Sequence, residues 1–392
     1  MASSKVIHIV IVGAGVAGLT CARRLTHLLK HQSYRITILE ARDRIGGRTL
    51  SIPELNLDLG ASWNFPDQSA VRALSQELSI DTIEQYETGD SLISSSNNAI
   101  QRMNLYDNFD DTKRFRGGTG SLCAAMFDEL TKQNPTTVLV QLNSVVASIL
   151  NENNQTITIH LQDNRSIIAD YVVLAVPPKL LVSTIQLTPS LLKNVTKQLS
   201  ECITWMGSMC KGILVYDHPW WRDRNLSGFA VSRQTASQEW HDASSETCHA
   251  LFAFSKAGTT QQQLIDDTVR IFGQDAAKPT TVYITDWSNE RFTSFSKRDG
   301  FDGNRHLDHK CRESQWNGRL WLGNSELSDI GNGVLEGAVR RGTQVANEKN
   351  RENYVGWRFN QNSKDCLIVF IKLSNRMNAL FSFFEWIIII TK

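Results

Sequence analysis

The chain predicts an α/β fold in two lobes, and three observations carry that prediction. A continuous apolar run, Val6–Val12, passes into a glycine-rich turn, a helix and a second strand that ends on Glu40. Further strand patterns, closing with a buried run at Tyr171–Val176, return far downstream. The length, 392 residues, exceeds what one ordinary core holds and suffices for two lobes around a large cofactor.

Val6–Val12 (VIHIVIV) has the near-continuous apolarity of a strand buried on both faces of a parallel sheet. Gly13, Gly15 and Gly18 complete GxGxxG. The first glycine permits the tight turn, the second lets backbone approach a pyrophosphate, and the third lets helix pack on strand. Thr20–Lys30 reads as an amphipathic helix, with Leu19, Ala22, Leu25 and Leu28/Leu29 on its apolar side. Arg35–Leu39 reads as the next strand and delivers Glu40, placed to accept hydrogen bonds from an adenosine ribose diol. An acid here, rather than an arginine, argues against a 2′-phosphate and hence against NADP. Strand, turn, helix, strand and acid in this order predict a Rossmann-like unit.

Downstream, Val71–Leu78 reads as a short helix, and polar, aperiodic Gln85–Asp111 as an exposed loop containing the SSSNN run. Leu122–Lys132 reads as a helix. Val138–Ile149 and Thr156–Leu161 alternate as strands of a small sheet. The buried run at Tyr171 is stopped by Pro177-Pro178. The terminal run ALFSFFEWIIII is about a dozen residues broken by Glu385, short of the roughly twenty a membrane span requires. Membrane contact through the tail is not expected.

Composition excludes several classes. With 41 Lys+Arg against 40 Asp+Glu, no global field favours nucleic acid or an anionic membrane. Seven scattered cysteines, without CxxC or metal-ligand spacing, predict reduced thiols and no metal site. No apolar segment with a cleavage site follows MASSK, so an intracellular, non-secreted protein is expected, and its four Asn-X-Ser/Thr tripeptides are read as chance. The sequence is silent on oligomeric state.

After Glu40 comes Ala41-Arg42-Asp43-Arg44-Ile45-Gly46-Gly47-Arg48. Together with GxGxxG this resembles the flavin-containing amine oxidase family: monoamine and polyamine oxidases, L-amino acid oxidases and histone demethylases. The resemblance implies FAD, with Arg42 and Arg48 on its adenosine and pyrophosphate portion and Gly46-Gly47 closing the turn. Guanidinium forks suit phosphate. Leu57–Trp63 resembles the segment beneath the isoalloxazine, where Gly60, Ala61 and Ser62 permit close approach. Trp63 is either part of it or a core aromatic. Phe115–Leu122 is similar to the family's GGxxxL entry to a helix. Val146 with Ile149 resembles the VxxI whose valine backbone meets adenine, and Tyr171–Pro178 resembles VIxAVPP.

Met206–Gly212 resembles GSxxK, which makes Lys211 the lysine holding a water near flavin N5. The alternative for Lys211 is a surface lysine laying its stem along apolar neighbours. Tyr283–Phe292 resembles the segment that leads back to the flavin, with Trp287 as its tryptophan and Phe295 as the aromatic wall of a substrate cage. Thr293–Lys297 contains no cysteine, so FAD is expected to be non-covalent. Gly318–Glu326 is similar to GRLxFAGxET, implying that Glu326 meets a ribityl hydroxyl or a phosphate water. Gly333–Val339 is similar to the start of a helix facing the cofactor, with Val334 and Leu335 against it. Val334 stands where many relatives carry a cage tyrosine, and the resemblance ends after Asn347.

The resemblance divides the chain into a discontinuous FAD-binding domain (1–85, 136–200 and 292–348), a shortened α+β substrate lobe (86–135 and 201–291) and a divergent tail (349–392). It implies oxidation of an amine C–N bond by hydride transfer to flavin N5, with imine hydrolysis and reduction of O2 to H2O2. Two alternatives stay open: an FAD-dependent desaturase or protoporphyrinogen-type oxidase, and an FAD-binding protein that has lost turnover.

Overall fold

The computed structural model describes residues 6–95, 99–104, 111–152, 156–294 and 307–352, with side chains to Lys349. Everything below concerns the compact unit ending at Asn353. The expected tail and Phe295 lie outside the described residues, apart from the helical residues up to Glu352.

A five-stranded sheet organises the first lobe. Its order is Leu320–Leu322, Tyr171–Leu174, Ile7–Val12, Tyr34–Leu39, Val138–Gln141, every pair parallel. Strands from residues 7–39, 138–174 and 320–322 thus share one sheet, and the lobe is discontinuous in sequence. The first strand is apolar from Ile9 to Val12 because both of its faces are covered. Ile9 and Ile11 enter a core formed with the helices Val16–Leu29, Gly120–Gln133 and Leu335–Glu352. Val10 and Val12 enter a second core on the opposite face, with Ile149, Ile159, Leu181 and Leu199. A strand alternates its side chains between faces, so burial on both favours apolar residues, and the exception, half-buried His8, hydrogen-bonds the Ile168 carbonyl and the Thr37 hydroxyl.

That second core is roofed by a four-stranded sheet: Ser166–Ala169, Thr156–Leu161, Val146–Glu152, Gln186–Thr188. The continuous strand expected over 138–149 is therefore two strands in different sheets. The chain breaks at Asn143, which has φ +52°, while the Asn143 and Ser144 amides donate to the carbonyls of Arg42 and Glu40.

A seven-stranded sheet forms the second lobe, in the order Thr281–Asp286, Met209–Tyr216, His249–Lys256, Ser237–Asp242, Leu226–Val231, Asp90–Ser94, Ile100–Met103. All its pairs are antiparallel except Leu226–Val231 with Asp90–Ser94. One face buries Leu214, Trp240 and Leu251 under the helix Gln261–Phe272. That helix starts with a reciprocal Thr260/Gln263 capping box and buries Leu264, Thr268, Ile271 and Phe272, one stripe of a 3.6-residue period. Gly212 admits it, since a Cβ there would overlap Leu264.

Two expectations need correction. Residues 85–111 are not simply an exposed loop, because Asp90–Ser94 and Ile100–Met103 pair as the sheet's last two strands. The final strand is exposed at all four positions, and an edge strand held by backbone hydrogen bonds needs no hydrophobic alternation to reveal it. Gly120–Gln133, grouped with the second lobe within 86–135, instead packs Leu122, Cys123, Met126 and Leu130 into the core of the first.

Candidate active site

The GxGxxG turn sits at the carboxyl end of the central strand, where ligands bind in open parallel sheets. Gly13 has φ +106°, and a Cβ on it would press into the Ala175 carbonyl. A Cβ on Gly18 would overlap the Gly13 carbonyl. Gly15 differs, since the nearest atom to a Cβ there is the Gly46 carbonyl at 3.8 Å. Gly15 bridges Gly46, and the second glycine turn lies across from the first. Gly47, at φ +58°, faces Gly15, and a Cβ on it would lie in ordinary contact with the Gly15 Cα at 3.5 Å. Gly13 and Gly18 are thus required by packing, whereas a Cβ on Gly15 or Gly47 would meet only ordinary contact with the facing turn.

Glu40 is buried at the tip of the second strand, and its carboxylate accepts from the Ala14 amide at 2.8 Å and the Arg42 amide at 3.0 Å. These hold the acid beside the turn. Val146, buried, begins the strand after the loop whose Ser144 amide donates to the Glu40 carbonyl, so it lies on the same side. Arg42 directs its guanidinium to Glu290 (2.9 Å) and Thr293 (2.7 Å), tying the strand end to the segment after Asp286. Arg44 clamps the second turn through the carbonyls of Ile45 and Gly47.

Arg48 reaches Ser325 Oγ at 2.9 Å and pairs with Glu326 at 2.9 Å. That ion pair is close without hydrogen-bond alignment, and Arg48 Nη1 and Glu326 Oε1 retain bonding capacity. Neighbouring Asn324 is 2% exposed, with neither Nδ2 nor Oδ1 bonded among the described residues. Buried polar atoms without partners cost about 1–3 kcal/mol each. The two Asn324 atoms, beside an ion pair with bonding capacity left and near the glycine turns, fit a polar group such as the ribityl and phosphate portion of FAD. Sequence reasoning quoted Asn324 within its motif without assigning it a role.

Gly60 belongs to the Leu57–Trp63 segment, where a Cβ would overlap the Arg48 carbonyl. Lys211, 2% exposed, aims into this segment: its Nζ donates to the Gly60 carbonyl at 2.9 Å and to Ser62 Oγ. The snorkelling alternative is thereby excluded. Nζ also lies 4.2 Å from the Phe252 ring centroid and 5.4 Å from that of Phe254. Burial lowers its pKa to about 7, opposed by the Asp58 carboxylate and reinforced by the Arg114 guanidinium. Burial raises the Asp58 pKa, although Lys211 and hydrogen bonds from Ser51 and Thr119 counter the shift. Ala61 accepts from the Thr119 hydroxyl at 2.7 Å. Trp287 donates from Nε1 to the Leu59 carbonyl at 2.8 Å, fixing the same segment from the other side.

Trp63 joins a cluster with Phe65, His241, Phe252 and Phe254 at centroid distances of 4.7 to 6.0 Å. The period-two apolar pattern of HALFAFSK signals this strand, but only its register shows that Phe252 and Phe254 flank Lys211. Val334 is half-buried before the final helix, and Leu335 packs into the first lobe's core. The adjacent Glu336 caps the helix Ser69–Glu77 by accepting from the Ala70 and Val71 amides, a structural role.

A glycine turn, a buried acid bonded to its backbone, a second glycine turn and a buried lysine against the Gly60–Ser62 backbone fit a dinucleotide-cofactor oxidoreductase. Comparison with known proteins narrows the class: residues 85–348 match the family model for flavin containing amine oxidoreductases, and residues 11–78 that for an NAD(P)-binding Rossmann-like domain. The chain belongs to the flavin containing amine oxidoreductase family, and its cofactor is FAD.

Among curated relatives, a putrescine oxidase of Kocuria rosea is 42% identical over 86 residues, 21% of this chain and 17% of that protein. A probable flavin-containing monoamine oxidase A of Dictyostelium discoideum is 21% identical over 88% of this chain and 98% of its own length. The cyclohexylamine oxidase of Brevibacterium oxydans has the same fold, with a TM-score of 0.74 at 17% identity, covering 89% of this chain and all of that one. Among the described residues no helix is long and apolar enough to cross a membrane.

Proposed function

We propose that the protein oxidises a small amine at its C–N bond, using non-covalently held FAD and O2. The observation that carries this reading is Lys211: a buried amine, bonded to Gly60 and Ser62 and facing two phenylalanines, at the far end of the glycine cradle. Bound FAD would supply the electron chemistry, a two-electron acceptor for a hydride equivalent from the amine's α-carbon that O2 would reoxidise with release of H2O2, leaving an imine for water to hydrolyse.

The chain's own residues supply position and environment. The amides after Gly13 and the turn at Gly46-Gly47 would receive the pyrophosphate, Glu40 the ribose, Val146 the adenine side, and Asn324 and Glu326 the ribityl chain. Arg48 would add its charge to the phosphates, and Arg42 would border the adenosine from its post on Glu290. The helix beginning at Leu335, preceded by Val334, would turn its N-terminus towards the same region. Gly60, Ala61 and Ser62 would lie against the flat ring, held there by Trp287 through Leu59. Lys211, with a pKa near 7, exchanges a proton at Nζ near neutral pH and would hold a water beside the ring. The aromatic rings around it exclude bulk water and keep an amine neutral.

A second reading, FAD retained without turnover, draws its support from Val334, an aliphatic residue where a cage aromatic is expected. Reconstitution separates the two. Protein loaded with FAD and exposed to amines in air should release peroxide, whereas a flavin-holding protein without turnover would stay yellow and release none.

A further inference from the structure

Strand register places a carboxylate in the row of side chains that contains Lys211. Lys211 lies opposite Phe254, and Phe254 lies opposite Glu239 on the next strand. The adjacent row runs Ile213, Phe252, His241. Cross-strand partners share a face, and Lys211 identifies this face as the one towards Gly60 and Ser62. Trp240, between Glu239 and His241, points the other way, donating to Thr268 on the helix behind the sheet. Glu239 therefore stands two strand spacings from Lys211, roughly 10 Å.

The surface between them is aromatic and open enough to be reached. Phe254, Trp63, Phe65 and Phe229 are half-buried rather than sealed, and the Glu239 side chain is 24% exposed. His241 stacks on Phe252 at 5.1 Å and contacts Trp63 at 4.7 Å, and its Nε2 lies 2.7 Å from Glu239 Oε1. The other acid on this strand, Asp242, is engaged by Trp221 and Arg222. A carboxylate on an aromatic wall is poorly solvated, and ring faces and carboxylate alike attract a cation.

We propose that Glu239, oriented by His241, selects amines that carry a second, cationic nitrogen, so that α,ω-diaminoalkanes are the preferred substrate class. The inference rests on the amine-oxidising reading: one nitrogen is presented at the Lys211 end while the other, protonated, pairs with Glu239. The methylenes between lie along Phe254 and Trp63. Glu239 is a specificity-determining residue and His241 a positioning residue.

The test compares 1,4-diaminobutane with butan-1-amine on the FAD-loaded protein, by steady-state kinetics and by anaerobic calorimetry. The wild type should prefer the diamine, and Glu239→Gln should lower the diamine-to-monoamine ratio of kcat/KM at least about tenfold, chiefly through KM, the size expected for one charge-assisted contact. Glu239→Asp, which keeps the charge, should restore part of the ratio, and His241→Gln should lower it less than Glu239→Gln. An unchanged ratio in Glu239→Gln, or a wild type without preference, overturns the proposal while leaving amine oxidation standing. If no amine reduces the flavin, the oxidase reading fails and calorimetry decides the site. Preferential diamine binding lost in Glu239→Gln upholds it, and equal or absent binding of the two ligands overturns it.

Discussion

Gly15 and Gly212 both lack a side chain, for opposite reasons, and the contrast separates the two halves of the site. At Gly15 a Cβ would meet nothing nearer than ordinary contact with the second glycine turn, 3.8 Å from the Gly46 carbonyl. At Gly212 the missing Cβ lets Leu264 of a packing helix fill the space. The cofactor cradle is built from absent atoms and backbone ends within one short stretch of chain. The face around Lys211 is built from side chains that converge from separate strands. A cradle of the first kind is local in sequence, whereas a face of the second kind exists once register is set.

The sharpest way to break this contrast is within the cradle itself. Gly18→Ala drives a methyl into the Gly13 carbonyl and should destabilise the apoprotein by about 3 kcal/mol or more, read as a lowered denaturation midpoint. Gly15→Ala meets only ordinary van der Waals contact with Gly46 and Gly47, so the apoprotein should melt as the wild type does while FAD affinity falls about a hundredfold, measured by flavin fluorescence titration. If both variants fail in the same way, the division between packing glycine and ligand glycine is wrong.

On the second face, Lys211→Met should cut turnover about tenfold or more, and it also has a pH signature. An unfolded lysine titrates near 10.4, and this one near 7 in the fold. Between those values the folded protein binds fewer protons than the unfolded chain, so stability rises as pH rises through the window and is lost as pH falls towards 7. The apo Lys211→Met variant should melt roughly 5 °C above the wild type at pH 7, with the gap closing towards pH 10. A gap constant with pH would remove the buried amine from the account.

Smaller effects sharpen the boundary between the halves. Glu326→Gln weakens the pair with Arg48 and should lower FAD affinity about tenfold, again by titration. Trp287→Phe removes the donor to the Leu59 carbonyl and should cost about 1 kcal/mol of stability with a modest loss of turnover. If Trp287→Phe exceeded Lys211→Met in its effect on turnover, the tryptophan would be more than a support.

The same contrast explains what the sequence disclosed. The first strand, the helix after it and Glu40 were legible because each depends on neighbours within a few residues, and the observed helix begins directly after Gly15. Lys211 was legible through its motif, but its burial and its partners Gly60 and Ser62 were not, since they lie about 150 residues away. Glu239 and His241 carried no signal at all: a Glu-X-His triplet says nothing until the strand's register sets it opposite Phe254 and Phe252. The edge strand Ile100–Met103 was missed for the same reason, because backbone pairing leaves no mark in a solvent-exposed sequence.

The central claim is that this chain joins an FAD cradle to an amine-oxidising face. Anaerobic mixing of the FAD-loaded protein with a panel of mono- and diamines tests it most directly. The account predicts that at least one amine bleaches the visible flavin absorbance in a single turnover and that admitting air restores it. Flavin that stays oxidised against every amine would contradict it.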